Sequence, residues 1–393
     1  MTENYRSARR PVAFANDFLK KISQRVKSTP IIAMRDEEGV VEVTRHASDL
    51  MYQPVLDDML RHSGQGSVGV LTKTNEEAVI MMGLLRRHGF KCKLIQSTGE
   101  QRFYNLVEVR HFLKELNENA SSQIIDNECW EKAREKVTSQ YERSTSLIYL
   151  EKCIGRFAST NKEVKYLNDL KEFIAESSVE DFCDIEKGDV VISTIHKSKG
   201  REFDDVYMLV SDNEMKADDE QLRRYYVGMT RARNRLFIHT TGNCFDNLSG
   251  ATYHTDSADY GMPDEIVLQL SLRDVILNHF KDGKIKIEIL NLRGGDPLTC
   301  SWTELENPAT GTTVAKFSKN MRKELAKWRD RGYEITDARV RFVASWKPTN
   351  STTEEKEKKE KKEEYATILG EITLSVKKHD ALVNDMFQRN ELI

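Results

Sequence analysis

The 393-residue sequence lacks long apolar runs, paired cysteines and a strong excess of either charge. It contains no run of roughly 18 apolar residues that could span a bilayer and no evident signal peptide, so we expect no membrane partner. The six cysteines form no C-x-x-C pair, which argues against a zinc site and for a reducing, cytoplasmic setting. The net charge of −3 gives no global basic field, so any surface for an anionic polymer must be local.

Length and composition leave room for several hydrophobic cores. The chain is long enough for two or three domains, and 39% of its residues are hydrophobic. Residues 68–71 read as a buried strand, residues 75–88 as an amphipathic helix and residues 91–95 as a further strand. This βαβ order predicts an α/β fold with a parallel sheet.

Residues 190–203 form the most informative stretch of the sequence. They open with Val190, Val191 and Ile192, a β-branched run typical of a strand buried on both faces in a parallel sheet. Polar residues follow: Thr194, His196, Lys197, Lys199, Gly200 and Glu202. Ligands of open α/β sheets bind outside the carboxyl ends of strands, so we expect this polar group to lie at a ligand site. A glycine lets backbone approach a phosphate, and lysines suit anions.

Three segments resemble motifs of one enzyme family. Residues 194–203 (T-I-H-K-S-K-G-R-E-F) resemble motif V of the UvrD/Rep-like superfamily 1 DNA helicases, and residues 226–233 (Y-V-G-M-T-R-A-R) resemble motif VI. Residues 2–7 (T-E-N-Y-R-S) resemble motif IV. The three segments stand in the family's order. One departure is Arg201, where the family usually has leucine, and it adds positive charge beside Gly200 and Glu202.

The resemblance implies a RecA-like parallel sheet with helices on both faces and an inserted helical subdomain. Residues 1–102 and 187–242 would form the second RecA-like domain of a helicase, and residues 103–186 the helical insertion. A smaller C-terminal module, α+β or β-barrel-like and of unknown role, would cover residues 243–393. It would be mainly β from residue 284, because residues 285–289 alternate between apolar and polar.

The same resemblance assigns residues that face a nucleotide. Arg231 and Arg6 would reach the γ-phosphate, where a positive charge stabilises the transition state of phosphoryl transfer. Tyr5 would stack on the adenine, since an aromatic ring offers a large flat apolar contact.

Motif V and the neighbouring helix supply further candidates. Gly200 would give backbone access to a phosphate, and Glu202 would accept a hydrogen bond from the ribose. Arg224 would either support this site or pair with an acidic residue such as Glu220.

A second group is expected to contact single-stranded DNA. By the resemblance, Thr194 would use its hydroxyl and His196 a ring N–H on the DNA backbone. Lys73 and Asn75 follow the strand at residues 68–71 and lie near where the family places nucleotide- and DNA-facing groups.

Two features that ATP hydrolysis requires in this family are absent from the sequence. It has no G-x-x-x-x-G-K-[ST] loop, and the acidic runs at residues 218–220 and 264–265 follow no apolar strand. We therefore expect the first RecA-like domain to be missing, and ATP with Mg²⁺ to be held mainly by that N-terminal half. No residue of this chain is assigned to a metal, and the chain alone should hydrolyse no ATP.

The C-terminal third carries weaker signals. We expect helices at residues 265–280 and 318–330, strands at 339–342 and 367–376, and a solvated charge run at 354–364. On the second helix Lys319, Lys323 and Lys327 share one face, and other basic residues and Trp302 lie nearby. This pattern suits a phosphate backbone and equally an ordinary amphipathic helix with a solvated face.

Two functions remain open at this stage. The first is the C-terminal portion of an ATP-dependent DNA helicase, which moves along single-stranded DNA when its two halves close around ATP. The second is a non-catalytic module that binds single-stranded DNA or a protein on a helicase-like scaffold. The intact nucleotide-facing residues favour the first.

Overall fold

The computed structural model describes residues 3–23, 29–62, 66–95, 103–119, 123–182, 189–211, 218–277, 283–346 and 365–376. The chain forms two compact units. The first comprises Met1–Ser97 and Asp184–Val267, and the second comprises Thr98–Cys183 and Leu268–Ile393. The three-part division expected from the sequence stays a prediction.

The bounds of the regular elements are as follows. The α-helices of the described residues are α1 (Arg9–Leu19), α2 (Tyr52–Arg61), α3 (Asn75–Arg87), α4 (Val107–Asn119), α5 (Asn127–Gln140), α6 (Leu147–Thr160), α7 (Leu167–Glu176), α8 (Asp219–Met229), α9 (Gly283–Asn291) and α10 (Lys319–Asp330). The strands are β1 (Glu3–Asn4), β2 (Ile32–Ala33), β3 (Val40–His46), β4 (Val68–Thr72), β5 (Cys92–Ile95), β6 (Ile124–Ile125), β7 (Lys165–Tyr166), β8 (Val190–Thr194), β9 (Phe203–Val210), β10 (Ala232–Thr240), β11 (Thr252–Asp256), β12 (Glu265–Gln269), β13 (Thr299–Cys300), β14 (Glu304–Asn307), β15 (Thr312–Lys316), β16 (Tyr333–Trp346) and β17 (Tyr365–Val376).

A seven-stranded parallel sheet organises the first unit. Its strand order is β11–β3–β10–β9–β4–β8–β5, and each neighbouring pair runs parallel. The central strands β4 and β8 are buried along their whole length, which explains their unbroken apolar, β-branched sequences. The α/β fold expected from the sequence is confirmed.

Helices cover both faces of this sheet. Phe14 and Phe18 of α1 and Tyr225 of α8 share one core with Leu236 and Ile238 of β10. Side chains alternate along a strand, so Phe237 projects to the opposite face. There the centroid of the Phe237 ring lies 4.7 Å from that of the His62 ring, and His62 is the residue that follows α2.

A chain of buried polar groups lies on that second face. His46 Nε2 of β3 and His239 Nδ1 of β10 are 3.0 Å apart. His239 Nε2 lies 3.2 Å from an oxygen of Asp58, and His46 Nδ1 lies 3.3 Å from an oxygen of Asp256. Burial lowers the pKa of His46 to about 4, and the neighbouring His239 adds to the effect while Asp256 opposes it. The ring of His46 is therefore neutral near pH 7.

One sequence-based expectation fails near the N-terminus. From the sequence, residues 30–46 predict a β-hairpin with a polar turn at residues 35–39. In the structure, however, β2 and β3 do not pair with each other. Strand β2 runs parallel to β1, and β3 runs parallel to β10 and β11. The partners that β3 finds lie about 200 residues away in the sequence, where local patterning carries no information.

The second unit contains a helical part built from α4 to α7, as the sequence predicts. Trp130 of α5 packs against Phe112 of α4 and Phe157 of α6, with ring centroids 5.4 Å and 6.0 Å away. Buried Glu108 accepts hydrogen bonds from the hydroxyls of Ser144 and Ser146 at 2.8 and 2.6 Å. The amide of Gly294 donates to Ser144 Oγ at 3.0 Å, so this part packs on the C-terminal part of the same unit.

The C-terminal part of this unit mixes helices with antiparallel strands. Strands β16 and β17 pair along their length, and β13, β14 and β15 form a three-stranded antiparallel sheet. The predicted strand at residues 285–289 is wrong, because these residues form α9. Ile289 is buried whereas Ile287 is 62% exposed, so the apolar residues follow a helical spacing from Ile289 to buried Leu292.

The prediction of a helix at residues 265–280 is also wrong at its N-terminal end, because residues 265–269 form strand β12. Ile266, Val267 and Leu268 are buried in succession, which is typical of a strand covered on both sides. The predicted helix at 318–330 is confirmed as α10, with Ser318 as its N-cap. The charge run at 354–364 lies outside the described residues. Within the described residues, no helix has the length and apolarity needed to cross a bilayer.

Candidate functional site

A cluster of charged residues lies where β9 and β10 begin. The amide of Phe203 donates to the carbonyl of Arg231 at 2.9 Å, which aligns the starts of the two strands. Glu202 immediately precedes β9, while Arg231 and Arg233 flank the first residue of β10. Parallel strands thus place a carboxylate and two guanidinium groups side by side.

Glu202 is the centre of this cluster. Its Oε1 lies 2.7 Å from Arg6 Nε, and its Oε2 lies 3.3 Å from Arg233 Nη2. The Glu202 side chain is 19% exposed, whereas those of Arg6 and Arg233 are 51% and 43% exposed. One carboxylate therefore holds two arginines that remain accessible to a ligand.

Arg231 differs from these two arginines because its hydrogen bonds go to neutral groups. Its Nε donates to the carbonyl of Val227 at 2.9 Å, its Nη1 to that of Arg201 at 3.2 Å and its Nη2 to Thr230 Oγ1 at 3.2 Å. In the described part of the chain, Arg231 forms no ion pair. Burial lowers its pKa, an effect that Glu202 opposes and Arg6 reinforces. Arg231 therefore presents a positive charge that no carboxylate neutralises directly.

The turn that carries Arg6 is fixed by side-chain hydrogen bonds. Asn4 Oδ1 accepts from the amides of Arg6 and Ser7 at 2.8 and 2.9 Å. Arg35 Nη1 donates to the carbonyl of Arg6 at 2.8 Å and to Asn234 Oδ1 at 3.0 Å. These contacts dock the turn against the start of β10 and aim Arg6 at Glu202.

Tyr5 precedes Arg6 and projects into solvent. Its side chain is 70% exposed, and its hydroxyl donates to Glu3 at 2.7 Å, a hydrogen bond that raises the pKa of Tyr5. A cavity of about 20 Å³ between Asn4 and Tyr226 has room for about one water molecule. A purine base cannot enter that cavity, so a base that contacts Tyr5 must stack on its exposed ring.

Gly200 and Arg224 lie outside the cluster of ion pairs. Gly200 adopts φ +83°, a conformation that favours glycine, and an added Cβ would meet no atom within 4 Å. The space beside its backbone is therefore open to a ligand. Arg224 pairs with Glu220 one turn earlier on α8 at 2.5 Å. That pair was the alternative role expected for Arg224, and the structure gives it no contact with Glu202.

The residues expected to contact DNA gather where β4 and β8 end. Asn75 Oδ1 accepts from Lys197 Nζ at 3.1 Å, and Lys73 Nζ donates to the carbonyl of Ser211, after β9, at 3.3 Å. His196 is exposed in a short 3₁₀ turn, Ile195–Ser198, that directly follows β8. Thr194 is 8% exposed, so only a small part of its side chain is accessible.

The two groups lie at opposite edges of the sheet. Since all its strands run parallel, the starts of β9 and β10 lie at one edge and the ends of β4 and β8 at the other. The expectation that Glu202 lies at the carboxyl end of a strand with Thr194 is therefore wrong. Residues 195–202 cross from one edge to the other.

Two site residues were missed by sequence reasoning. Arg233 stood inside the motif VI-like segment, so a role for it could have been assigned there. Arg35 has no such signal, because it lies in a polar turn and reaches Arg6 through a fold contact.

One protein family matches part of this chain. Residues 113–243, about a third of the chain, match the family model of the UvrD-like helicase C-terminal domain. The match includes Glu202, Arg231 and His196, while Arg6 and Lys73 lie before it.

Solved protein structures also match this chain. The crystal structure of the C-terminal domain of a possible DNA helicase from Lactobacillus plantarum WCFS1 is similar to 64% of this chain and 98% of its own. The sequence identity is 13% and the TM-score 0.32, values at which the likeness carries no argument. No curated protein matches the chain.

The site offers little to a metal ion. Within the described ranges, no group of three or more histidine, cysteine or acidic side chains could hold a metal ion. The arginines Arg6, Arg231 and Arg233 lie around Glu202, a composition that suits phosphate oxygens. The expectation that Mg²⁺ is held by another lobe stays a prediction.

Proposed function

We propose that this UvrD-like domain works as one half of an ATP-dependent DNA translocase and directs Arg231 and Arg6 at the phosphates of ATP. The observation that carries the proposal is the positive charge of Arg231, which is partly buried, has only neutral hydrogen-bond partners and lies beside Arg6. A guanidinium fixed by backbone carbonyls is oriented before the ligand arrives, which lowers the cost of binding an anion.

ATP with Mg²⁺ would be bound mainly by a first RecA-like lobe and would supply the phosphoryl group transferred to water. Arg231 would then neutralise charge that develops on that group. Arg6 would exchange its ion pair with Glu202 for a phosphate oxygen. Glu202 would then be free to accept a hydrogen bond from the ribose, while its pair with Arg233 keeps the carboxylate in place.

The opposite edge of the sheet would hold single-stranded DNA. Lys73, Asn75 and His196 present N–H donors there, and Lys197 adds a charge. Such donors bind phosphate and sugar oxygens without reading sequence. The separation of the two edges suits a motor, because closure of the lobes around ATP can shift one edge while the other holds the strand. A cytoplasmic location belongs to the same proposal.

The proposal is tested by reconstitution with a UvrD-like N-terminal lobe that carries the phosphate-binding loop and the acidic pair. We expect ATPase activity that single-stranded DNA stimulates, and a loss of about 10³-fold or more in Arg231→Ala. Arg224→Ala is the matched control, since it removes an arginine of α8 that pairs with Glu220. The UvrD-like domain alone should give no turnover.

Two results would decide against this function. If the isolated chain hydrolyses ATP and Arg231→Ala does not abolish that activity, the proposed contact of Arg231 and Arg6 with the phosphates of ATP is contradicted. Binding of oligo(dT) without ATPase activity in any pairing would favour the non-catalytic module.

A further inference from the structure

The α10 helix of the second unit has an exposed face that is strongly basic. Lys319, Arg322 and Arg329 follow one another at spacings of three and seven residues, so they lie along one side of the helix. Lys323 borders this side, and all four are exposed. We call these four residues the α10 stripe. Met321, Leu325 and Trp328 occupy the other side and are buried, so the stripe faces solvent.

The charges of the stripe are largely uncompensated. Among the described residues, Lys319, Arg322 and Lys323 have no acidic partner, and Arg329 has Asp330 at 3.8 Å. Elsewhere on α10, Lys327 pairs with Glu324 at 2.9 Å. Helix α5 of the same unit has three basic residues too, but they behave differently, since Lys132, Arg134 and Lys136 all pair with glutamates.

The N-terminal part of the stripe also opposes the helix dipole, whereas Arg329 lies in the last turn, where a cation is favourable. Helices α3, α5 and α8 carry acidic residues in their first turn, where the partial positive charge of the helix stabilises them. Helix α10 has none there, and Lys319 and Arg322 stand near its N-terminus instead. This arrangement destabilises the helix in isolation, so an anionic partner would relieve it.

An aromatic ring lies beside the end of the stripe. Trp302 lies in the tight turn between β13 and β14, where the amide of Ser301 donates to the carbonyl of Glu304 at 3.0 Å. The guanidinium carbon of Arg329 lies 5.7 Å from the centroid of the Trp302 ring. The partly exposed ring thus stands next to a cation, a combination that stacks nucleic-acid bases and binds the adjoining phosphates.

We propose that the α10 stripe and Trp302 form a second binding surface for single-stranded nucleic acid, on the second unit of the chain. The stripe extends about 15 Å from Lys319 to Arg329. A strand would lay its phosphates along the stripe and stack a base on Trp302. The inference rests on the proposed function only in that the chain acts on nucleic acid, and it requires neither ATP nor Arg231.

The test measures binding of fluorescein-labelled oligo(dT) by anisotropy at several salt concentrations. The stripe variant combines Lys319→Gln, Arg322→Gln and Arg329→Gln. We expect its affinity at low salt to fall on the order of tenfold. In a plot of the logarithm of the binding constant against the logarithm of the salt concentration, the magnitude of the slope should fall by about two. The control combines Lys132→Gln, Arg134→Gln and Lys136→Gln on α5, removes the same charge and should bind like the wild type.

Trp302 is tested separately. Trp302→Ala should weaken binding about 5- to 150-fold without changing the salt slope, and Trp302→Phe should restore most of it. The thermal midpoint of the stripe variant should change little, because the gain from removing Lys319 and Arg322 near the N-terminus of α10 offsets the loss of Arg329 near its C-terminus. This keeps the test independent of folding.

A third variant separates this inference from the proposed function. Lys73→Ala, Asn75→Ala and His196→Ala together remove the DNA-facing group of the first unit. If only this variant loses affinity, the α10 stripe is not a binding surface. If only the stripe variant does, the stripe is confirmed and the DNA contacts proposed for the first unit fail. Loss of poly-L-glutamate binding by the stripe variant, with oligo(dT) binding intact, would overturn the proposal in favour of an acidic protein.

Discussion

Arg6 and Glu202 are 196 positions apart in the sequence, yet Arg6 Nε and Glu202 Oε1 are only 2.7 Å apart. The contact joins the motif IV-like turn to the motif V-like segment at the start of β9. It brings Arg6 into one cluster with Arg231, whose pKa both Arg6 and Glu202 affect. The two arginines therefore lie close enough for their charges to interact, a condition that the proposed shared phosphate ligand needs.

Glu202→Gln should separate the functional role of this ion pair from its structural role. Arg6 and Arg233 are about half exposed, so the lost pairs should cost less than about 1 kcal/mol in the free energy of unfolding. We expect the ATPase of the reconstituted enzyme to fall tenfold or more, because the ribose acceptor and the anchor for Arg233 are lost. Urea denaturation and steady-state kinetics measure the two effects. A stability loss that matches the loss of activity would contradict the functional role.

Arg35→Ala should weaken the action of Arg6 without touching a ligand. The variant removes the hydrogen bonds from Nη1 to the Arg6 carbonyl and to Asn234. We expect kcat to fall roughly tenfold with little change in the KM for ATP, as for an interaction made in the transition state. Arg45→Ala is a suitable control, since Arg45 pairs with Asp246 in the same unit. Arg35 has no positioning role if Arg35→Ala and Arg45→Ala have equal kcat values.

Gly200→Ala and Gly89→Ala form a matched pair. Both glycines have φ +83°, and at both an added Cβ would meet no atom within 4 Å. Each substitution should therefore lower the free energy of unfolding by a similar amount, about 1–2 kcal/mol, through backbone strain alone. Only Gly200→Ala should reduce the ATPase of the reconstituted enzyme, because only Gly200 lies beside the proposed phosphate. Equal activities in the two variants would remove Gly200 from the site.

Buried His46 should make the first unit sensitive to acid. The pKa of His46 is lowered from 6.5 to about 4, so between these values the unfolded chain binds a proton that the folded chain does not. The free energy of unfolding should therefore fall by about 3 kcal/mol as the pH drops from 7 to 4. Urea denaturation followed by circular dichroism measures how the free energy of unfolding depends on pH. His46→Gln should weaken this pH dependence, whereas His254→Gln, at an exposed position, should leave it unchanged.

The sequence predicts the sheet of the first unit well because that sheet is built from strands with an unambiguous pattern. The apolar, β-branched β8 and the βαβ unit from β4 to β5 lie where expected. The boundaries of helix α3 are determined by residues at its own ends. Thr74 and Glu77 form a reciprocal cap at the N-terminus, and Gly89 follows the C-terminus. Such signals depend on neighbouring residues alone.

The errors arise where a short apolar run fits two periodicities. Residues 285–289 alternate as a strand would, but the contacts of Ile289 and Leu292 select the helix α9. Residues 265–269 begin a stretch that fits a helix, but burial on both sides selects β12. Neither choice can be made without knowing what covers the segment.

The sequence indicates which residues belong to the candidate site better than it indicates where those residues lie in the fold. Arg6, Arg231 and Glu202 followed from the motif-like segments. That Glu202 and Thr194 lie at opposite edges depends on where the crossover from β8 to β9 passes, which no local pattern records. Arg35 depends on the docking of a turn.

The crossover at residues 195–202 has one further consequence. By strand register, Thr194 and Phe203 are separated by about six residues along the sheet and two strand spacings across it, or about 22 Å. The segment that joins them, with its first four residues wound in a 3₁₀ turn, can extend to about 25 Å. Its spare length lies in the 3₁₀ turn and in a second turn, which is closed by the hydrogen bond from the Arg201 amide to the carbonyl of Ser198 at 3.0 Å. A displacement of His196 by more than a few ångströms therefore either pulls Glu202 with it or opens one of these two turns.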